Sequence, residues 1–167
     1  MTDANATPSA SWSSPPALAH YVRAEGLRVP RLLLSALANR MAEGLGDEVL
    51  RDWAIAVGRD WAQAEQARFA SSDTLDVLAD SLNSYWAEAR WGWARLEETE
   101  DGLEVYHHAS PLGDAHPSLV GVLEGFYETV FKLLGADDDM VVQLVEGASE
   151  GFDLHLRLMA WRQGDDA

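Results

Sequence analysis

The sequence predicts an α+β domain in which four main helices pack on an antiparallel sheet built from two β-hairpins. Three observations carry that prediction. Apolar residues recur at three- and four-residue spacing from Pro30 to Ala89 and again from Leu119 to Leu134. From Phe152 to Met159 they alternate with polar residues, as in a half-buried strand. Between two short runs rich in aromatic and branched residues stands Asp101-Gly102, a hairpin signal.

The elements follow in order. Residues 1–16 are rich in Ser, Ala and Pro and are expected to form a disordered arm, with residues 17–167 making one domain. Ala17 to Glu25 reads as a short helix ending near Gly26. Pro30 suits the first turn of a longer one, whose apolar stripe is Leu34, Leu37, Met41 and Leu45 and which Gly44 and Gly46 end. Asp47 is a candidate cap for the next helix, with the stripe Leu50, Trp53, Val57, Trp61 and Ala64. Ser71 or Ser72 would cap a third helix, carrying Leu75, Leu78, Leu82, Tyr85 or Trp86, and Ala89 on one face.

Then the period changes. Trp91 to Glu98 and Leu103 to Ala109 form a hairpin around Glu100-Asp101-Gly102. A polar loop with Pro111, Gly113 and Pro117 leads to the fourth helix, with Leu119, Val122, Leu123, Phe126, Val130 and Leu133 or Leu134, ended by Gly135. Met140 to Glu146, a turn through Gly147 to Gly151, and Phe152 to Trp161 make the second hairpin.

Composition excludes several partners. The 167 residues are 47% hydrophobic, enough to fill one core. Their 28 acidic and 12 basic residues give a formal charge of −16, which repels nucleic acid and anionic membrane surfaces. With no cysteine there is no disulfide, thiolate metal site or cysteine nucleophile. The first residues lack the basic start and apolar run of a signal peptide, and no stretch approaches the roughly 20 apolar residues that span a bilayer. A cytoplasmic protein without membrane insertion is expected.

Catalytic and metal-binding chemistry finds little purchase. His107 and His108 are adjacent, and neighbours on a strand point to opposite faces, so the two do not share a metal without a bend. A site joining one of them with Asp114, His116 or His155 matches no metal-ligand spacing; a polar pair beside a strand end is the plainer reading. Asp137-Asp138-Asp139 reads as a solvated turn rather than a cation loop, and Glu97, Glu98, Glu100 and Asp101 as a charged hairpin tip. A glycosidase would need two carboxylates across a cleft, a pairing no spacing here specifies. No serine sits in a Gly-x-Ser-x-Gly elbow and no phosphate loop is present. No catalytic residue, metal or cofactor is assigned.

The tryptophans remain. Trp53 and Trp61 read as core or helix interface. Trp91 and Trp93 alternate on a strand and are expected to share one face, with Gly92 letting another group approach on the other. Such a face suits burial between subunits or stacking on sugar rings, and burial is favoured. Trp12, alone in the arm, is incidental or an anchor for a neighbouring subunit.

Together these segments resemble one family. Leu82-Asn83, then Trp91-Gly92-Trp93-Ala94-Arg95-Leu96, then His108 and Pro111, then Leu119 to Tyr127 read as Leu-Val-Gly-Val-Leu-Glu-Gly-Phe-Tyr, are similar to the D subunit of bacterial cellulose synthase complexes over about Pro30 to Arg162. The Ser/Ala/Pro-rich arm is longer than in that pattern. The resemblance implies a non-catalytic α+β protein that forms dimers grouped into an octameric ring. It implies a role in organising synthase complexes, or in guiding nascent glucan for export, beside the synthase at the inner membrane. Partners would be the synthase complex and a proline-rich accessory protein, and the setting cellulose secretion and biofilm. Trp91, Trp93, Tyr127 and Trp12 are then the candidate contacts with another subunit or with glucan. An acidic chaperone-like adaptor that binds an extended partner segment along a sheet edge is the alternative.

Overall fold

A computed structural model describes residues 28–100, 102–112, 115–145, 147 and 153–160. The N-terminal arm with Trp12, the short helix expected at Ala17 to Glu25, and Phe152 and Trp161 lie outside the described residues. Within them the chain forms α1 (Arg28–Leu45), α2 (Asp47–Ala64), α3 (Leu75–Ala89), β1 (Trp93–Thr99), β2 (Gly102–His108), α4 (Gly121–Leu133), β3 (Met140–Leu144) and β4 (Leu154–Ala160). Short 3-10 turns at Gln66–Arg68 and Pro117–Val120 follow α2 and lead into α4. The two hairpins join through β2 and β4 into one antiparallel sheet, ordered β1-β2-β4-β3. The predicted α+β architecture is the observed one.

The sheet turns Ala94, Val105, His107, Val142, Leu154, Leu156 and Leu158 toward the helices, and all are buried. Alternation puts Trp93, Arg95, Tyr106, His108, His155 and Arg157 on the opposite face. On the helix side an aromatic cluster fills the centre. Trp86 lies at its middle, packed against Trp61, Tyr85, Trp91, Phe126 and Tyr127 at ring-centroid distances from 4.7 to 6.1 Å. The Trp61 indole N–H donates to the Tyr85 hydroxyl, so both polar tips are satisfied inside it.

Two helix caps differ from expectation. Asp47 is the first residue of α2 rather than its cap; Gly46 holds that position without a side-chain bond. For α3 the cap is Thr74, whose hydroxyl accepts from the Val77 N–H at 3.3 Å, because the 3-10 turn and the turn after it consume Ser71 and Ser72.

The stripes of α1 and α2 also shift. The buried face of α2 is Leu50, Ala54, Gly58 and Ala62, while Trp53 is 48% exposed. On α1, Ala38 is buried and Leu37 and Leu45 are exposed. For α2 the reason is its closeness to α4. A Cβ on Gly58 would lie 2.0 Å from the Val122 carbonyl oxygen, and one on Gly125 would lie 2.1 Å from that of Ile55. The two backbones touch, so small residues make the closest contact and Trp53 is turned off it, while Leu50 and Trp61 pack at its margins.

Candidate functional site

The segments singled out in the sequence meet at one place under the sheet. Asn83, near the middle of α3, reaches β1 and bonds both backbone groups of Ala94: its Oδ1 accepts from the N–H at 2.7 Å and its Nδ2 donates to the carbonyl at 2.9 Å. Those groups point away from β2, so the amide stands where another strand would pair. Leu82, its neighbour, is fully buried.

Between α3 and β1 the chain reverses through two left-handed residues, Arg90 (φ 58°) and Gly92 (φ 91°). A side chain at Gly92 would meet the His108 carbonyl at 1.9 Å, so only glycine fits. This reversal overturns one expectation. Trp91 precedes the strand and its ring enters the helix-side cluster against Trp61 and Trp86. Trp93, inside the strand, stacks on His108 across β2 on the far face, at 5.1 Å and 17°. The two tryptophans lie on opposite sides of the sheet.

His107 ties this turn to α4. Its Nε2 lies 2.7 Å from the Trp91 carbonyl oxygen and its Nδ1 2.7 Å from the Tyr127 hydroxyl. A carbonyl only accepts, so Nε2 carries the proton and Nδ1 accepts from the tyrosine. Burial disfavours the imidazolium and lowers the His107 pKa to about 4; the Trp91 carbonyl opposes that shift. Burial likewise raises the Tyr127 hydroxyl above its ordinary range. His107 is a neutral linker in the core, where a polar pair at a strand end was expected. Tyr127 is fully buried in the chain, which leaves it no surface to offer another subunit or a glucan.

Helix α4 completes the junction through two buried carboxylates. Glu124, 2% exposed, takes the Arg51 guanidinium of α2 in a two-point bond (2.8 and 3.2 Å) and accepts from the Leu144 N–H of β3 at 2.8 Å. One turn on, Glu128 accepts from Arg59 (3.1 Å) and Lys132 (3.0 Å). The pairs line the glycine contact, where Gly121, Gly58 and Gly125 bring the backbones together. Periodicity had no means of finding Glu124 or Asn83 in these roles, since each bonds to backbone distant in sequence. A polar residue inside an apolar stripe was the available signal.

The far face of the sheet carries a ladder of paired side chains. Glu104, 3% exposed, holds His155 Nε2 at 2.6 Å and Arg157 Nε at 2.5 Å. Tyr106 lies between two partners, with His155 stacked at 4.4 Å and the Arg95 guanidinium 4.0 Å from its ring centre. Arg95 also pairs with Glu97, which relieves the opposition of Glu97 and Glu104 across β1 and β2. The histidines are thus dispersed: His107 in the core, His108 with Trp93 and 3.5 Å from Asp153, His116 accepting from the Ser118 N–H, and His155 with Glu104. Among the described residues no group of three or more His, Asp or Glu is placed to hold a metal ion. Asp137, Asp138 and Asp139 are exposed in a turn.

With the Asn83, His107 and Glu124 links in place, the likeness to known families can be set beside them. The family model for the D subunit of cellulose synthase matches residues 17–158, which include every one of these positions. The chain belongs to the cellulose synthase D-subunit family. Curated protein sequences give no match. The family match begins before the span from Pro30 that the motifs suggested and includes all four helices and nearly all of the sheet. The segments that carried the resemblance are the ones that interlock: Leu82-Asn83 on β1, Trp91 and Gly92 at the reversal, and Glu124, Gly125 and Tyr127 on α4. They act as keystones of the fold. Membership of the family places the chain in cellulose synthesis, and among the described residues no helix is long and apolar enough to cross a membrane.

Proposed function

We propose that this member of the D-subunit family is a non-catalytic accessory protein of bacterial cellulose synthesis that assembles with itself and organises synthase complexes, or guides their glucan chains, for export and crystallisation. The observation that carries the reading is the use to which the polar residues of the interlocking segments are put. Asn83, His107, Tyr127, Glu124 and Glu128 spend their polar atoms on one another, on arginines and on backbone. Groups committed in this way have little left to offer a substrate. What such a molecule presents to its surroundings is shape, apolar surface and charge, the means by which a scaffold works.

Dimers grouped into an octameric ring, contacts with the synthase complex and a proline-rich accessory protein, and a cytoplasmic position beside the inner-membrane synthase belong to this proposal. So does glucan contact, for which Trp91 and Trp93 are the partly exposed described candidates: Trp91 packs into the helix-side cluster, while one side of the Trp93 ring lies on His108. The adaptor alternative draws less support. Asn83 occupies edge strand β1 at Ala94, and Glu124 occupies edge strand β3 at Leu144, which shortens both edges available to an extended segment. Deleting the gene and measuring cellulose yield, crystallinity and the distribution of synthase in the cell tests the proposal. Reduced or disordered cellulose is expected; unchanged cellulose refutes it.

A further inference from the structure

We infer that the uncovered apolar face of the α1–α2 pair is the surface on which a second copy of this chain docks. Leu33, Leu37 and Leu45 of α1 and Val49 and Trp53 of α2 stand on it, between 48 and 60% exposed. Leu33 and Leu37, and likewise Val49 and Trp53, are four residues apart and so share a side of their helix. Gly46 alone separates the two helices. These five side chains offer on the order of 500 Å² of apolar surface, the upper end of what a monomer leaves in water.

Charge identifies the occupant. From Arg28 to Ala64 five carboxylates (Glu43, Asp47, Glu48, Asp52 and Asp60) stand against five arginines, but Arg51 and Arg59 are taken by Glu124 and Glu128 of α4, so the two helices keep a net of only −2 for their own surface. The rest of the chain, with 7 basic and 23 acidic residues by difference from 12 and 28, carries the other −14 once those two glutamates are neutralised. Two copies repel wherever their acidic surfaces meet, and a weakly charged apolar face is where they approach at least cost. A basic partner is drawn instead to the acidic remainder. An isologous pair brings the same patch from both sides, and Trp53 is the kind of large aromatic that anchors the centre of such a contact. A stable pair buries about 800 Å² on each partner, so the polar rim of α1 and α2 joins the apolar centre.

This inference rests on the self-assembly part of the proposed function, and the experiment separates the two. Sedimentation velocity of the full chain, from sub-micromolar to hundred-micromolar concentration, compares the natural sequence with Leu37→Glu/Trp53→Glu and with Trp93→Ala on the far face of the sheet. The expected result is self-association that strengthens with added salt, as screening removes the repulsion, and that is weakened at least about tenfold by the double variant but not by Trp93→Ala. Because the chain has no cysteine, Leu37→Cys, Val49→Cys and Trp53→Cys each introduce a single thiol. Oxidation is expected to link at least one of them into a covalent dimer, while Glu97→Cys stays monomeric. If the natural chain assembles but the double variant assembles equally well and none of the three thiols links, the docking face is wrong while the scaffold reading stands. A natural chain that remains monomeric throughout, its face covered by its own residues 1–27 or kept for a foreign protein, overturns both.

Discussion

Helix α2 has two sides built on opposite rules. Toward α4 it presents Leu50, Ala54, Gly58 and Ala62, all buried, and brings Arg51 and Arg59 onto Glu124 and Glu128. Away from α4 it presents Val49 and Trp53, both about half exposed. An ordinary amphipathic helix buries its large apolar residues. Here the closest contact is made by small residues, because backbone-to-backbone contact leaves no room for more; Leu50 and Trp61 still pack into the core, and Val49 and Trp53 are left off it. One side fixes the fold and the other is free to be an interface.

The sharpest way to break this contrast is to change the bulk of each side in turn. Gly125→Ala places a Cβ against the Ile55 backbone, and Gly58→Ala places one against Val122 and Phe126. Neither neighbour is the end of a flexible side chain, so the helices must separate. Each change is expected to cost about 3 kcal/mol or more in urea unfolding. Trp53→Ala, measured at a dilution where the chain is monomeric, alters far more volume but should cost less than about 1 kcal/mol. Equal losses on the two sides would show that α2 is not divided in this way.

The same division explains how much the sequence revealed. α3 and β4 were legible: Leu78, Leu82, Tyr85 and Trp86, and Leu154, Leu156 and Leu158, are large, apolar, correctly spaced and buried. On α2 the stripe chosen for its bulk, Leu50, Trp53, Val57 and Trp61, lies partly off the buried face, since hydrophobic periodicity weighs size and a glycine face has none. Trp91 was misplaced for a related reason. Alternation along a strand puts it beside Trp93, but the left-handed Arg90 and Gly92 start the strand two residues later. The site was less legible than the fold. That the Asn83, His107 and Glu124 segments mattered could be seen, but what they bonded depended on partners between 11 and 73 residues away.

His107 offers a second test of the buried side, through pH. Its folded pKa, about 4, lies below the ordinary 6.5, so as pH falls the unfolded chain takes up the proton first. Stability from this residue is complete above about 6.5 and is lost as pH drops toward 4, by roughly 3 kcal/mol over that window. In His107→Gln the polar links are altered and the chain is less stable at neutral pH, but that part of the slope should vanish. A variant that keeps the full acid dependence would assign it to the carboxylates instead.

Asn83→Ala probes the edge of the same core. It strips two bonds from Ala94 and leaves a backbone N–H and carbonyl on a largely buried residue; a loss of about 2 kcal/mol is expected. Hydrogen exchange should localise it: the Ala94 amide, protected by Asn83 in the natural chain, should exchange faster while the β2–β4 amides do not. Uniform acceleration throughout the sheet would mean that Asn83 supports the whole fold rather than capping one strand.

The smallest effect on stability is expected at Trp93. Its partner across β2 is a half-buried histidine, and a cross-strand ring pair contributes at most about 1 kcal/mol. Trp93→Ala should therefore leave unfolding nearly unchanged and self-association intact. Because its fold cost is so low, Trp93 gives the cleanest measure of glucan contact among the tryptophans. Trp91 cannot be removed without opening the cluster of Trp61 and Trp86, so any lost binding there is confounded with lost structure. A fall in cello-oligosaccharide binding for a normally folded, normally assembled Trp93→Ala would place sugar on the far face of the sheet. Unchanged binding would remove this described tryptophan as a glucan contact and leave the scaffold role to the helical face alone.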